Sequence, residues 1–329
     1  MTNPSQQVMR LGFGFAVSQA LRVLVELGIP DLMASGGQSV EDLAAAAKAD
    51  AESLYRVMRL LAPEGVFTEI RPRHFALTEV GATLRSDRPG PGDFIRMINS
   101  EAYLAFEQLL HSVRTGKPAF DKVFGSSRFD WLSVHSEQAA LFQRAMVALS
   151  QGSNEAVAAA YDFGPYTRVV DVGGGHGQLL SAILARNPHL SGVLLDLASG
   201  IAAARQGTGG DLPRTEFVAG NFFDSVPVGD VYVIKKVIHD WDDERAGLIL
   251  RRCREAMPKH GRVLVAETLV PPGDEPAQIK SIDVVMLAVT GGLERTKAQF
   301  AGLFEGAGLK LERVIGTGAP ISILEALPA

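Results

Sequence analysis

A glycine-rich turn follows an apolar run in the middle of the chain. Val169–Val172 leads into Gly173, Gly175 and Gly177, and a helix-forming segment begins directly afterwards. A buried strand, a tight turn and a helix start bring the backbone close to a bound ligand, because glycine lets the chain turn sharply and the helix amides point outward. We therefore expect this turn to bind a ligand.

The register of the glycines distinguishes between nucleotide classes. A dinucleotide-binding turn needs G-x-G-x-x-G, and counting from Gly173 its last glycine would fall on Gln178. The pattern present is D-x-G-x-G-x-G, which begins at Asp171. It resembles the first motif of class I methyltransferases, which use S-adenosylmethionine (SAM), and it disfavours a nicotinamide oxidoreductase.

Charged residues also stand where other strands are expected to end. The run GVLLDL ends near Asp196, whose carboxylate could accept both hydroxyls of a ribose or could instead cap the helix that follows. His239 lies in IKKVIHDWDDE, Glu267 ends a further apolar run, and Glu294 lies in GGLERT. Such groups are the usual acids, bases and orienting partners of enzyme sites.

Strands and helices alternate from Thr167 onward, which predicts a doubly wound, mostly parallel α/β sheet over residues 161–329. The expected strands are Arg168–Val172, Gly192–Leu195, Glu216–Ala219, Val231–Ile234 and Arg262–Ala266, and the expected helices are Gln178–Arg186, Ala198–Gln206, Asp243–Met257 and Lys297–Ala307. Leu309–Val314 and Ile321–Ala326 could add an antiparallel pair. Ligands of such sheets bind beyond the carboxyl ends of the strands.

Residues 1–90 have a different pattern. Ser39 and Asp50 are N-cap residues for two short helices, the second over Ala51–Leu61, and two extended pieces follow at Val66–Glu69 and His74–Leu77. Two helices and a two-stranded wing predict a winged helix-turn-helix.

That module lacks the net positive charge of a DNA-binding domain. It contains nine Lys and Arg residues against ten Asp and Glu residues, whereas binding to DNA depends on a positive surface. A transcriptional regulator is therefore the weaker alternative, and we expect a structural or dimerising module. The helix over Phe13–Leu27 is apolar almost all round, which suits a subunit interface and predicts a homodimer.

Residues 91–160 are expected to form a helical connector. Phe142 and Met146 are four residues apart and so share one helix face, which taken alone is more typical of a core than of a ligand pocket.

Composition limits the remaining function classes. The chain has 329 residues, 47% of them hydrophobic, which favours two domains with sizeable cores. We expect no membrane-spanning run and no signal peptide, and Cys253 is the single cysteine, so an internal disulfide and a zinc–cysteine cluster are excluded. The net charge of −5 argues against a general nucleic-acid binder. A cytoplasmic, soluble protein without nucleic-acid or membrane partners is the expectation.

Five segments together carry a family resemblance. DVGGGHG, AGNFFDSVP, KKVIHDW, ETLVP and GGLERT, in this order and spacing, resemble the O-methyltransferases of the caffeate, isoflavone and acetylserotonin type, over essentially the whole chain from about Gly12. Bacterial members of that family modify natural products. The resemblance implies a metal-independent enzyme that transfers a methyl group from SAM to a hydroxyl of an aromatic or polyketide-like small molecule, leaving S-adenosylhomocysteine.

The resemblance also implies roles for individual residues. The residues that would bind SAM are Gly173, Asp196, Asn221, Phe222 and Lys235. His239 would be the general base, and Glu267 and Glu294 would flank it. The residues that would line the acceptor pocket are Phe142, Met146, Trp241 and Met286.

These residue types suit the chemistry. A phenol has a pKa of about 10 and an imidazole one near 6.5, so a positioned histidine can take the phenolic proton as the oxygen develops charge. A carboxylate on the other ring nitrogen would fix the tautomer. The competing interpretations are a backbone-capping role for His239 and structural ion pairs for Glu267 and Glu294.

Two positions depart from the family pattern. Asn221 stands where relatives usually have Asp, which predicts altered adenine contact, and Leu293 stands where many carry Arg or Lys. A SAM-binding relative with other chemistry, such as hydroxylation, is the main alternative within the fold. The histidine and two glutamates argue against it, because such relatives have lost the base. A metal-dependent catechol methyltransferase is disfavoured because a carboxylate-rich metal site is not apparent.

Overall fold

The computed structural model describes residues 3–87, 90–150, 152–207 and 212–329. The chain divides into two compact units, the first within residues 1–107 and 126–150 and the second within residues 108–125 and 151–329. The segment 1–90 thus belongs to the first unit and 161–329 to the second, while 91–160 is shared between them.

Secondary structure covers most of the described chain. In the N-terminal part the elements are α1 (Pro4–Gly12), α2 (Gly14–Glu26), α3 (Ile29–Leu32), β1 (Gln38–Ser39), α4 (Val40–Ala47), α5 (Ala51–Leu61), β2 (Phe67–Arg71), β3 (His74–Leu77), α6 (Glu79–Ala82), α7 (Gly92–Ile98), α8 (Glu101–Phe106), α9 (Leu109–Thr115), α10 (Ala119–Phe124), α11 (Arg128–Val134), α12 (Ser136–Ser150) and α13 (Ser153–Ala160). They continue with β4 (Arg168–Val172), α14 (Gln178–Arg186), β5 (Ser191–Asp196), α15 (Ala198–Gly207), β6 (Thr215–Ala219), β7 (Val231–Lys235), a 3-10 turn (Ile238–Asp240), α16 (Asp243–Ala256), β8 (Arg262–Glu267), α17 (Gln278–Val289), α18 (Lys297–Gly306), β9 (Leu309–Gly316) and β10 (Ser322–Pro328).

The first unit contains the two capped helices and the hairpin that its sequence predicts. Ser39 Oγ accepts the amide of Asp42 at 3.1 Å, and Asp50 Oδ1 accepts that of Ser53 at 2.8 Å, which starts α4 and α5. Strands β2 and β3 pair antiparallel, and β1 adds to β3 on its other side. The winged-helix assignment itself stays a prediction.

Helix α1 exposes its larger apolar side chains within this unit, and α2 exposes two of its own, Phe15 and Val23. No residue of α1 is buried, and in α2 only Ala20, Leu24 and Val25 are. The exposed apolar residues of this stretch are Val8, Met9, Leu11, Phe13, Phe15 and Val23. The apolar face of α2 is therefore covered by its own unit on one side only.

The same stretch corrects one expectation. Among the described residues, Pro4–Glu26 is the one helical stretch that is long and apolar enough to cross a membrane by length and composition. Gly, Ser and Gln interrupt its apolar residues, but few of its residues are charged, so its mean hydropathy is high. Length and composition are weak evidence for a membrane span, since core helices and N-terminal signal sequences meet the same criteria.

The second unit is built on a seven-stranded sheet in the order β6-β5-β4-β7-β8-β10-β9. The first five strands are parallel, and β10 runs antiparallel to both β8 and β9. The predicted doubly wound sheet and its terminal antiparallel pair are confirmed.

Side chains alternate between the two faces of the sheet, and helices cover both. One face buries Val170, Tyr232 and Ile234 in a cluster with apolar residues of α16 and α18, and the other buries Val169 and Val233 in a cluster with residues of α13, α14 and α15. Because both faces are covered, the strands read as nearly continuous apolar runs, and polar residues in them stand out.

The carboxyl ends of the parallel strands meet at one edge. The glycine turn follows β4, Asp196 ends β5, Lys235 ends β7 and Glu267 ends β8. The parallel register places residues that are distant in the chain side by side at this edge.

Candidate active site

The glycine turn forms an open loop between β4 and α14. Gly173, Gly175 and Gly177 have φ of 70°, 55° and 72°, which other residues rarely adopt. Apart from its two chain neighbours, no described residue has an atom within 4 Å of the position that a Cβ of Gly175 would take, so the loop leaves room there for a ligand. Among the described residues, Asp171 Oδ2 and His176 Nε2 are buried beside this loop without a hydrogen-bond partner.

Asp196 is bonded to the glycine loop. Its Oδ2 accepts the amide of Gly175 and its Oδ1 that of Leu197, each at 2.8 Å. Burial raises the pKa of Asp196, and the two amides oppose that shift. Each oxygen keeps a second lone pair, so the carboxylate can still accept ribose hydroxyls.

Lys235 and Asp171 interact electrostatically from the adjacent strands β7 and β4. Asp171 is 1% exposed, and burial raises its pKa to about 7 while the charge of Lys235 opposes the shift. Burial lowers the pKa of Lys235, and Asp171 in turn opposes that change. The sequence marked Asp171 only as the start of the motif, although a carboxylate inside an apolar strand is itself a signal of function.

An aromatic group lies next to the predicted adenine site. Asn221 is exposed, and its Oδ1 accepts the amide of Phe223 at 3.0 Å, which shapes the turn after β6. The ring of Trp241 meets those of Phe222 and Phe223 edge-on, with centroids 6.2 and 4.8 Å apart. The structure thus places Trp241, a predicted acceptor-pocket residue, beside a predicted cofactor residue.

The other predicted pocket residues lie in separate parts of the chain. Met286 is buried on α17 in the second unit. Phe142 and Met146 lie on α12 in the first unit, where the Phe142 ring packs edge-on against Phe129 at 6.5 Å. The assignment of all of these residues to the acceptor pocket stays a prediction.

The structure brings His239, Glu267 and Glu294 together. His239 Nδ1 lies 2.6 Å from Glu294 Oε1, and the His239 amide donates to Glu267 Oε1 at 3.4 Å. Glu267 is fully buried and Glu294 is 3% exposed. Glu294 therefore orients the ring of His239, whereas Glu267 holds its backbone.

This arrangement sets the charge of the imidazole. Burial lowers the pKa of His239, but Glu267, Asp240 and the hydrogen bond to Glu294 outweigh burial and raise it to about 9. With Nδ1 bonded to a carboxylate, Nε2 is the nitrogen left for an acceptor, and it lies 4.0 Å from Asp240 Oδ1, beyond hydrogen-bond distance.

The GGLERT segment forms hydrogen bonds that hold the turn that carries His239. The amide of Leu293 donates to the carbonyl of His239 at 2.9 Å. Arg295 is fully buried, donates to the carbonyls of Ile238 and Trp241, and pairs with Asp243 at 2.8 Å. Leu293 departs from the family pattern, and its backbone amide, rather than its side chain, helps to hold the turn that carries His239.

Lys236 also enters this cluster, although the sequence analysis did not select it. Its Nζ lies 3.3 Å from Glu267 Oε2 and 4.0 Å from Glu294 Oε1. The one available signal was the double lysine in KKVIHDW, where only the first matched the family pattern.

The cluster has a spacing that metal sites also use. The nearest nitrogen or oxygen atoms of His239, Glu267 and Glu294 all lie within 4.8 Å of one another. A cation already faces two of the three, because the Lys236 ammonium pairs with both glutamates. The arrangement therefore suits proton transfer between an oriented imidazole and an acceptor.

Comparison with known proteins identifies the chain. The family model of the O-methyltransferase domain matches residues 106–310, and that of the O-methyltransferase dimerisation domain matches residues 9–87. The chain belongs to the O-methyltransferase family. It is a SAM-dependent O-methyltransferase with a Rossmann-like catalytic fold and an N-terminal dimerisation domain.

Relatives of this O-methyltransferase match it over nearly their whole length. The phenazine O-methyltransferase PhzM of Lysobacter antibioticus is 42% identical, covering 98% of this chain and 96% of its own. The mitomycin biosynthesis 6-O-methyltransferase of Streptomyces lavendulae is 40% identical, covering 94% and 90%. The crystal structure of NcsB1, in complex with SAM and 2-hydroxy-5-methyl naphthoic acid, is 37% identical with a TM-score of 0.83, covering 95% and 96%.

Proposed function

We propose that this O-methyltransferase methylates a phenolic hydroxyl of an aromatic or polyketide-like natural product, with His239 as general base. The observation that carries the proposal is the 2.6 Å contact between His239 Nδ1 and Glu294 Oε1. It directs Nε2 away from the carboxylate as the proton-accepting nitrogen. The relatives support the acceptor class, since they act on phenazine, mitomycin and naphthoate compounds.

The residues present fit SAM. The open glycine loop faces Asp196, whose half-buried carboxylate suits a ribose. Phe222 offers an aromatic face for the adenine ring, and Lys235 lies at the end of β7. Asn221 would reach the adenine amino group through its carbonyl oxygen. When bound, SAM supplies a methyl group on a positively charged sulfur, which is already activated for displacement.

His239 would then perform the one task that this electrophile leaves to the protein. A phenol with a pKa of about 10 is a weak nucleophile at neutral pH, so its proton has to leave as the new bond forms. The neutral form of the ring, whose fraction grows as the pH rises toward the His239 pKa of about 9, accepts that proton at Nε2, and Glu294 stabilises the resulting imidazolium through Nδ1. Glu267 keeps the backbone of His239 in place, and Phe142, Met146, Trp241 and Met286 position the acceptor ring.

The proposal extends to the whole molecule. Residues 1–90 would form the winged-helix dimerisation module, 91–160 a connector that contributes to the acceptor pocket, and 161–329 the catalytic domain. The enzyme would act as a cytoplasmic homodimer without a metal ion, with the small-molecule acceptor as its partner rather than nucleic acid or a membrane. The dimerisation-domain match and the net charge of −5 support these points.

Replacement of His239 by alanine tests the mechanism. Because the imidazole faces the acceptor, His239→Ala should leave SAM affinity nearly unchanged while turnover falls by roughly 10²–10⁴, the usual contribution of a general base. The loss should shrink at high pH, where the phenol ionises by itself. Turnover is measured by mass detection of the methylated product over a panel of phenols, and SAM affinity by calorimetry.

His260→Ala is the matched control. This histidine is 69% exposed and lies beside Asp230, at the amino-terminal edge of the sheet, so its removal should leave turnover unchanged. If His239→Ala retained most of the methyl transfer at neutral pH, His239 would not be the base. A product that gains oxygen instead of a methyl group would favour the hydroxylating alternative.

A further inference from the structure

We propose that Lys236 is a positioning residue that weakens proton binding by His239, and so raises the fraction of neutral, proton-accepting imidazole, by neutralising the two buried glutamates beside it. The inference rests on the proposed function, because it assigns a supporting role to the residue next to the proposed base. Lys236 itself would touch neither the acceptor nor the methyl donor.

The geometry places one ammonium between two buried carboxylates. Lys236 Nζ is 3.3 Å from Glu267 Oε2, an oxygen that has no hydrogen-bond donor among the described residues. It is 4.0 Å from Glu294 Oε1, the same oxygen that His239 Nδ1 contacts at 2.6 Å. The ammonium and the imidazole therefore compete for one carboxylate oxygen.

The charged groups around His239 determine how much this competition affects its proton affinity. The charged groups that face His239 are Glu267 on β8, Glu294 before α18, Asp240 on its own turn and Lys236 after β7. Arg295 directly follows Glu294, but its guanidinium pairs with Asp243 and donates to backbone carbonyls. Buried carboxylates need a compensating cation because burial in a low dielectric makes unpaired charge expensive.

Without Lys236, an imidazolium at His239 would be the compensating cation in the described cluster. The proton would then be held more tightly on the ring, and a smaller fraction of the imidazole would be free to act as a base at a given pH. With Lys236 present, the pKa of His239 is held lower than the glutamates alone would set it. The lysine thus supplies charge balance without occupying the proton-accepting nitrogen.

The backbone conformation of Lys236 is consistent with a functional role for this residue. Its φ is 54°, in the left-handed region that residues other than glycine and asparagine rarely occupy. The left-handed conformation falls directly after the last residue of β7, where the chain leaves the sheet. Unfavourable backbone conformations tend to persist at functional sites where surrounding contacts hold them.

The test compares three substitutions with a matched control. Lys236→Met removes the charge and keeps the length of the side chain, Lys236→Asn removes it with a residue that tolerates φ of 54°, and Lys236→Arg keeps the cation. Lys259→Met removes the same charge from an exposed position at the amino-terminal edge of the sheet. Unfolding curves of each variant show that it is folded.

Two measurements report on His239. The imidazole is titrated by NMR in the free enzyme, its signal being identified among the seven histidines by its absence in His239→Ala. The pH dependence of kcat is measured in parallel. In Lys236→Met and Lys236→Asn, the pKa of His239 and the acidic limb of the kcat profile should both move up by about 0.5–1 pH unit, within the range for loss of a nearby charge.

At a fixed pH below the limb, that shift corresponds to a loss of about 3–10-fold in kcat, which recovers at higher pH, with SAM affinity unchanged. In Lys236→Arg, the acidic limb of the kcat profile should lie at the wild-type pH. Lys259→Met should not shift it. A fall in kcat at all pH values with an unmoved His239 titration would overturn the inference and leave Lys236 a structural role. Failure of the general-base proposal is recognised separately, by retained activity in His239→Ala.

Discussion

At the scale of single residues, the chemistry of the site depends on which atoms face each buried charge. Glu267 and Glu294 are both buried, yet one bonds the backbone amide of His239 and the other bonds its ring. Only the second contact fixes the tautomer of the imidazole. The two carboxylates are therefore not interchangeable, and both raise the affinity of His239 for a proton.

The raised pKa of His239 predicts how stability depends on pH. The folded value is about 9 against 6.5 for a free histidine, so the imidazolium stabilises the fold fully below about pH 6.5. That contribution should be lost as the pH rises from 6.5 through 9. The free energy of unfolding of the wild type, taken relative to His239→Gln, should fall over this window in denaturant titrations. A difference that grows with pH would contradict the assigned shift.

The carboxylate of Asp196 is predicted to hold the ribose of SAM. Asp196→Ala should weaken SAM binding by about 1.5–3 kcal/mol, because charge-assisted hydrogen bonds to the ligand are lost. Calorimetry with SAM measures the change, and NAD should bind to neither protein. Asp162→Ala, an exposed change before β4, should bind SAM normally. Unchanged affinity in a folded Asp196→Ala protein would remove Asp196 from the cofactor site.

At the scale of elements, the proposed base is held by two segments that are distant in the chain. The 3-10 turn Ile238–Asp240 follows β7, and the Gly291–Arg295 segment follows α17. The Leu293 amide bonds the His239 carbonyl, and Arg295 bonds the carbonyls on either side of His239. The position of the imidazole thus depends on this second segment as much as on its own strand.

Gly292 makes that dependence testable. A Cβ at Gly292 would lie 2.1 Å from the carbonyl oxygen of His239 and 2.8 Å from Cα of Asp240, and backbone atoms cannot rotate aside. Gly292→Ala should displace the turn and lower kcat by roughly 10–10²-fold, since small misplacements of catalytic groups are costly. Steady-state kinetics with saturating SAM measure the effect.

Gly302→Ala is the control for this change. Outside its own helical turn, no residue in the described part of the chain has an atom within 4 Å of the Cβ position of Gly302 in α18. Alanine there should keep wild-type kcat and stabilise the helix by about 0.5–1 kcal/mol. Wild-type kcat in a well-folded Gly292→Ala enzyme would mean that this contact does not position His239.

At the scale of the whole molecule, α1 and α2 present apolar side chains for which their own unit offers no cover. Leu11 is 66% exposed, Phe13 58% and Phe15 57%. Apolar patches of this kind mark interaction surfaces. The match of residues 9–87 to the dimerisation domain favours a second copy of this chain as the partner, and the high hydropathy of Pro4–Glu26 has the same explanation.

Phe15→Glu tests this surface without disturbing the core, because the side chain is already exposed in its own unit. Placing a charge in a buried interface is unfavourable, so the variant should be monomeric at micromolar concentrations at which we expect the wild type to be a dimer. Light scattering measures the mass. Val228 is an apolar residue of the second unit that is at least as exposed as Phe15, and the Val228→Glu protein should remain a dimer. A dimeric Phe15→Glu protein would place the interface elsewhere.

The sequence determined the sheet and the glycine loop, and it supplied the residues that are proposed for the site. Helix caps, the run of apolar residues in each strand and the glycines act over a few residues, so their patterns can be read locally. The strands at Arg168–Val172 and Arg262–Glu267 lie within one residue of their expected ends. Because parallel strands align their carboxyl ends, the same patterns also predicted that Asp196, His239 and Glu267 would gather at one edge.

Only the tertiary structure decided the contacts within that edge. It placed Trp241 against Phe222, gave Glu294 the ring of His239 and Glu267 its amide, and added Lys236 to both. These partners are separated by about 20–60 residues along the chain. The path of the loops between them and the rotamers of the side chains select the contacts, and no local pattern in the sequence encodes either.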